Sequence, residues 1–113
     1  MEDPLIGTWD IVRLVPGGQT PSQPASITFD GRQLHFFAGC NRAVGPYALE
    51  SNGLRAGPVA LTMMYCPDMT VERHLCTALG QPLQVDVVAD RLVAVGPRGG
   101  FEARRTTTGD SDD

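Results

Sequence analysis

The chain has 113 residues, 42% of them hydrophobic and 19% charged, the make-up of one ordinary globular domain with a single core. Its net charge of -4 argues against a nucleic-acid-binding surface, which would be basic. All nine cationic residues are Arg, and the lack of Lys excludes a Schiff-base lysine and a P-loop lysine.

The start, Met1-Glu2-Asp3-Pro4, is acidic, and no apolar run reaches the length of a signal-peptide core or a membrane span. Two readings compete: a cytoplasmic protein, or a mature domain whose leader or lipid-anchor signal lies upstream. A first strand is expected from Leu5 to Leu14, with Leu5, Gly7, Trp9, Ile11 and Arg13 on one face. Trp9, the only tryptophan, is expected to plug one end of a core. Pro16-Gly17-Gly18 ends the strand, and the longest loop follows to Gln23. A hairpin comes next, Ala25 to Phe29 and Gln33 to Ala38, with Asp30-Gly31 as a two-residue turn. Ile27 and Phe29 share one face, as do Leu34 and Phe36, while His35 falls on the opposite face with Phe37.

A fourth strand runs from Gly45 to Glu50, and Asn52-Gly53 turns into Leu54 to Leu61, with a bulge expected at Gly57-Pro58. After Cys66-Pro67 the period changes. Asp68 is placed to cap a helix whose stripe is Val71, Leu75, Ala78 and Leu79, with Glu72 in its first turns. Gly80 suits a left-handed stop, and Pro82 prevents continuation. Three more strands, Leu83 to Val88, Leu92 to Val95 and Gly100 to Arg104, complete a count of eight strands and one helix. Strands joined mostly by hairpins form a meander, and barrel closure removes its exposed edges. The polar acidic tail from Thr106 to Asp113 is expected to be disordered.

The chemistry-bearing stretch runs from Phe36 to Cys66. Gly39 and Gly45 flank Cys40-Asn41-Arg42, and Asn tolerates positive φ best among non-glycine residues, so a sharp turn is expected between two strands. Cys40 and Cys66 each end a strand and could meet across a small barrel, or could be two thiols packed as small hydrophobes.

Gly39-Cys40-Asn41-Arg42 with Gly45, then Thr62-x-Met64-x-Cys66, then a helix with Glu72 near its start, resembles the META domain family. Leu5-Ile6-Gly7-Thr8-Trp9 matches the family's first strand, so the likeness covers about Leu5 to Arg104. The resemblance implies a mainly β fold: a small, antiparallel, lipocalin-like barrel of about eight strands, with one helix between the fifth and sixth, spanning residues 5–105. It implies an envelope or secreted setting, often as a lipoprotein, with links to heat shock, stress and antibiotic tolerance. It brings no catalytic residues and no cofactor. It also favours a Cys40–Cys66 disulfide, leaving Cys76 as a buried free thiol.

Weighed as a metal site, Cys40, Cys66, Cys76, His35 and His74 lack the tight ligand pair that zinc motifs show. Ser22, Ser26 and Ser51 have no nucleophile-elbow context, and His74 falls opposite the helix stripe, toward solvent. Arg42 is expected to pair with Glu72 or Asp68 and so fix the turn against the helix. The functional expectation is a monomeric, non-catalytic domain that binds a protein partner or supports the envelope. The alternatives are a carrier of a small hydrophobic ligand and an inhibitor of a hydrolase, presenting the Pro16 to Pro24 or Gly96 to Gly100 loop.

Overall fold

A computed structural model describes residues 4–51 and 53–106. Its elements are β1 (Gly7–Val15), β2 (Ser26–Phe29), β3 (Gln33–Phe37), β4 (Arg42–Glu50), β5 (Gly53–Ala56), β6 (Ala60–Leu61), α1 (Thr70–Leu79), β7 (Gln84–Val88), β8 (Arg91–Gly96) and β9 (Gly99–Arg105). Eight strands form one antiparallel path in the order β5-β4-β3-β2-β1-β9-β8-β7, and the short β6 also pairs with β4. The two ends of the path meet where the amides of Leu54 and Leu83 bond each other's carbonyls at 2.7 and 2.9 Å. The result is a nearly closed barrel with, among the described residues, a single helix that lies in the chain between β6 and β7.

Alternation drives the closure. In β3, Leu34 and Phe36 are buried, while His35 is exposed and Phe37 half-buried. Trp9, Phe29, Phe101, Ile27, Leu34, Leu54 and Leu92 are fully buried and fill the interior. Trp9 is part of this core, with its indole N–H donated to the Leu5 carbonyl at 2.9 Å.

Several local details differ from the sequence reading. The register of β1 on β9 shifts between Ile11 and Arg13, a bulge that puts both Ile11 and Leu14 inside. The β2–β3 turn is longer than two residues, because the Asp30 carboxylate accepts the amides of Arg32 and Gln33 at 2.9 and 2.7 Å. Those bonds to the charged form hold the Asp30 pKa below its ordinary value. Between β5 and β6, Gly57 to Val59 oppose only Gly45 and Pro46, the expected bulge. Thr106 belongs to the body rather than the tail, since its amide donates to the Thr8 carbonyl at 2.9 Å. Asn52 and residues 107–113, where a turn residue and most of a disordered tail are expected, lie outside the described residues.

The helix packs chiefly on β9 and buries Val71, Leu75, Ala78 and Leu79. Asp68 is one residue short of the N-cap position, which Met69 occupies, yet its Oδ1 still accepts the Thr70 amide at 3.0 Å. The Ser22 hydroxyl donates to its Oδ2 at 2.9 Å, tying the β1–β2 loop to the helix start. These bonds, the Thr70 amide first, lower the Asp68 pKa. Gly80 is right-handed at φ -70°, not left-handed, and its amide turns back to the Thr77 carbonyl at 3.2 Å. His74 is half-buried rather than facing solvent: its Nε2 lies 2.8 Å from the Gly100 carbonyl oxygen, which requires the Nε2–H form. No helix among the described residues is long and apolar enough to cross a membrane.

Candidate functional site

The motif residues gather where β3 hands over to β4, opposite the segment after β6. Gly39 has φ +100°, and a Cβ there would collide with the side-chain amide of Gln23. The next residue, Cys40, is joined to Cys66, with the Cα atoms 6.1 Å apart. Gly45 is needed for space: a Cβ would lie 2.7 Å from the Pro58 carbonyl oxygen, where the bulged connection crosses β4.

Asn41 differs from its sequence reading. It does not have a positive φ and works instead through its side chain, which is 2% exposed. Its Oδ1 accepts the Thr62 hydroxyl at 2.9 Å and the Met64 amide at 2.9 Å, while its Nδ2 donates to the Met64 carbonyl at 3.5 Å and to Cys66 Sγ at 3.4 Å. The Thr62 hydroxyl in turn accepts the Arg42 amide at 3.0 Å, and the Thr62 amide donates to the Arg42 carbonyl at 3.0 Å. One buried carboxamide thus replaces a ladder for a segment that has no strand partner. The Thr62 and Met64 motif positions act here through a hydroxyl and a backbone unit.

Asn41→Ala is expected to lower the unfolding free energy by about 2 to 3 kcal/mol, because it strands the Met64 amide and the Thr62 hydroxyl. Asn41→Asp keeps the acceptor but puts a carboxylate oxygen against the Met64 carbonyl, and should be at least as costly. Urea denaturation checks both, and a loss within 0.5 kcal/mol (about the scatter of ordinary surface substitutions) would contradict the role.

The outcome of this scaffolding is a loop with bare apolar side chains. Met63 is 88% exposed, Met64 56% and Tyr65 91%. β6 stops at Leu61, where the sequence reading also ends its strand, and the Asn41 bonds take over. Beside the loop, on the outer face of the sheet, is an open groove of about 420 Å³ whose lining includes His35, Phe37, Arg42, Val44 and Leu61.

Arg42 does not pair with Glu72 or Asp68. Its guanidinium lies 4.9 Å from the centre of the Phe37 ring on that outer face, and it forms no ion pair among the described residues. Alternation explains this, since Asn41 and Ala43 point inward and Arg42 must point out. Glu72 is on the buried side of α1, 5% exposed, and is not part of this cluster. Burial of the Cys76 thiol, and secondarily the charge of the Glu72 carboxylate, raises the Cys76 pKa, so this half-buried free thiol resists forming the reactive thiolate. His35 lies 3.9 Å from Asp30, with both groups half exposed, and no group of three or more metal-ligating side chains occurs among the described residues.

Barrel, stapled turn and buried carboxamide together describe a small β scaffold that presents an irregular loop. The chain matches the META domain over residues 3–105 and belongs to that family. A protein from Burkholderia xenovorans solved by NMR is similar at 22% identity with a TM-score of 0.74, covering 94% of this chain and 90% of that one. A second NMR structure gives 20% identity and a TM-score of 0.72, covering 93% and 96%. At these identities the likeness is one of fold. No curated protein matches the chain.

Proposed function

We propose that this META domain is a non-catalytic envelope or secreted module, and that it acts by docking a protein partner through the 62–65 loop. The observation that carries the reading is the combination of near-complete exposure at Met63 and Tyr65 with a backbone pinned by Asn41 and the Cys40–Cys66 link. A preorganised loop binds without the ordering cost of a flexible one, and Met and Tyr are typical interface anchors. Arg42, which forms no ion pair among the described residues, adds a positive group beside the loop. The partner surface would therefore offer an apolar pocket flanked by a carboxylate. The disulfide supports an oxidising compartment. The stress link implied by the family resemblance is part of the proposal. The carrier alternative is less well supported, because aromatic and aliphatic side chains fill the barrel interior.

The test places a photo-crosslinking residue at Tyr65 and, as a control, at exposed Val88 in cells producing the protein. The expected result is one discrete adduct from position 65, absent from position 88 and lost in Met63→Ser and Arg42→Glu backgrounds. Adducts that are equal at both positions, or insensitive to those changes, would overturn the reading. The substituted side chains are exposed, so denaturation midpoints should stay within about 0.5 kcal/mol of the parent.

A further inference from the structure

Five of the nine guanidinium groups have a partner among the described residues. Arg13 and Arg91 both reach Glu102, at 3.3 and 2.8 Å, and Arg55 reaches Glu50 at 3.2 Å. Arg42 stacks on Phe37, and Arg105 stacks on Trp9 while donating to the Ile6 and Pro4 carbonyls. The four remaining guanidinium groups, of Arg32, Arg73, Arg98 and Arg104, have no ion pair or hydrogen bond among the described residues.

Two of those four line one groove. Arg73 comes from α1 and Arg98 from the β8–β9 turn, and the wall between them and the β1–β2 loop encloses about 480 Å³. His74, Thr20 and Thr77 also line it, over an apolar floor that includes Leu14. The rim donors Ser22 and Thr70 are already committed to Asp68. Thr20 and Thr77 have no such bond among the described residues. His74 is anchored through Nε2 to Gly100, so its ring is a fixed wall.

We propose that this groove binds a phosphate group carried on a small organic body, either a soluble phosphate monoester or a lipid headgroup of the same chemistry. Two cationic forks from separate elements, with no carboxylate salt-bridged to either, concentrate positive potential in a concave site of an otherwise acidic chain. A carboxylate is saturated by one bidentate arginine, whereas a phosphate dianion has the oxygens and charge to engage both, with hydroxyls to spare. The volume exceeds a bare phosphate, and the apolar floor suits the attached carbon skeleton. The groove is formed by residues other than those of the 62–65 loop, so this proposal does not depend on the docking reading.

The experiment follows amide resonances of the full chain at fixed ionic strength while glycerol phosphate is added. Saturable shifts are expected around Thr20, Arg73, His74 and Arg98. Arg73→Ala and Arg98→Ala should each weaken binding about tenfold. Arg32→Ala and Arg104→Ala, which remove exposed charges elsewhere that likewise form no salt bridge, should leave it unchanged. A second arm adds phosphatidic acid vesicles. Sedimentation of the protein with them, lost in the Arg73→Ala variant, assigns the group to a headgroup, and no sedimentation assigns it to a soluble ester. Absence of saturable shifts at tens of millimolar ester together with no Arg73-dependent vesicle binding overturns the proposal. So does an equal loss in the Arg32 and Arg104 variants. The four residues are exposed, and unchanged resonances elsewhere verify that each variant folds.

Discussion

Trp9→Ala is expected to cost about 4 kcal/mol of unfolding free energy, near the middle of the range for removing a buried aromatic side chain. Three losses coincide at that position. The indole is fully buried at the heart of the β1 face, its N–H satisfies the Leu5 carbonyl at 2.9 Å, and the Arg105 guanidinium lies 4.2 Å from the ring centre. Arg105 also holds the Ile6 and Pro4 carbonyls at 2.9 and 3.3 Å, so the substitution releases the chain ahead of β1 as well. Trp9→Phe keeps much of the apolar volume and separates the hydrogen bond from the packing; about 1.5 kcal/mol is expected for it. Urea denaturation followed by far-ultraviolet circular dichroism is the suitable measurement, because the variants lack the chain's single tryptophan. A loss below about 1 kcal/mol for the alanine variant would show that the interior collapses onto the gap, contrary to the closed-barrel packing described here.

Opening the Cys40–Cys66 link comes second. The two cysteines are 26 residues apart, and releasing a closed loop of that length from the denatured chain costs about 3.5 kcal/mol. The comparison is best made in a Cys76→Ser background, so that the free thiol cannot exchange with the bridge. Reduction of that protein should lower its denaturation midpoint to that of the Cys40→Ala, Cys66→Ala double variant. The sheet signal should survive under native conditions, because Asn41 still holds the 62–65 segment without the sulfur link. A midpoint unaffected by reductant would mean that the bridge does not constrain the denatured chain.

Much of the architecture was legible because strand alternation and helix periodicity are carried by single positions. Leu34 and Phe36 against His35 oriented β3, and Val71, Leu75, Ala78 and Leu79 placed α1. What escaped the sequence were bonds made between distant segments. The β1 bulge depends on pairing with β9, and the Asp30 turn depends on a side chain capturing two amides. Arg42 was sent toward the helix by charge arithmetic, whereas backbone alternation had already committed it to the opposite face. Asn41 reads in sequence only for its backbone tolerance, since a polar residue between Cys40 and Arg42 gives no sign that four bonds await it. The exposure of Met63 and Tyr65 is not legible either, because composition alone cannot tell a buried apolar run from one held out by its neighbours. The paired grooves could not be seen at all, being built from Arg73 and Arg98, or Phe37 and Leu61, that only the fold brings together.

The partnership of the first strand with the last has a consequence for how the molecule comes into being. β1 lines up with β9, Trp9 beside Arg105, across nearly the whole chain. While the polypeptide emerges from the ribosome, the early hairpins can zip locally, yet one flank of β1 stays bare until β9 is made. Closure therefore waits on β9, and any truncation that removes that strand leaves an adhesive ribbon instead of a shortened barrel.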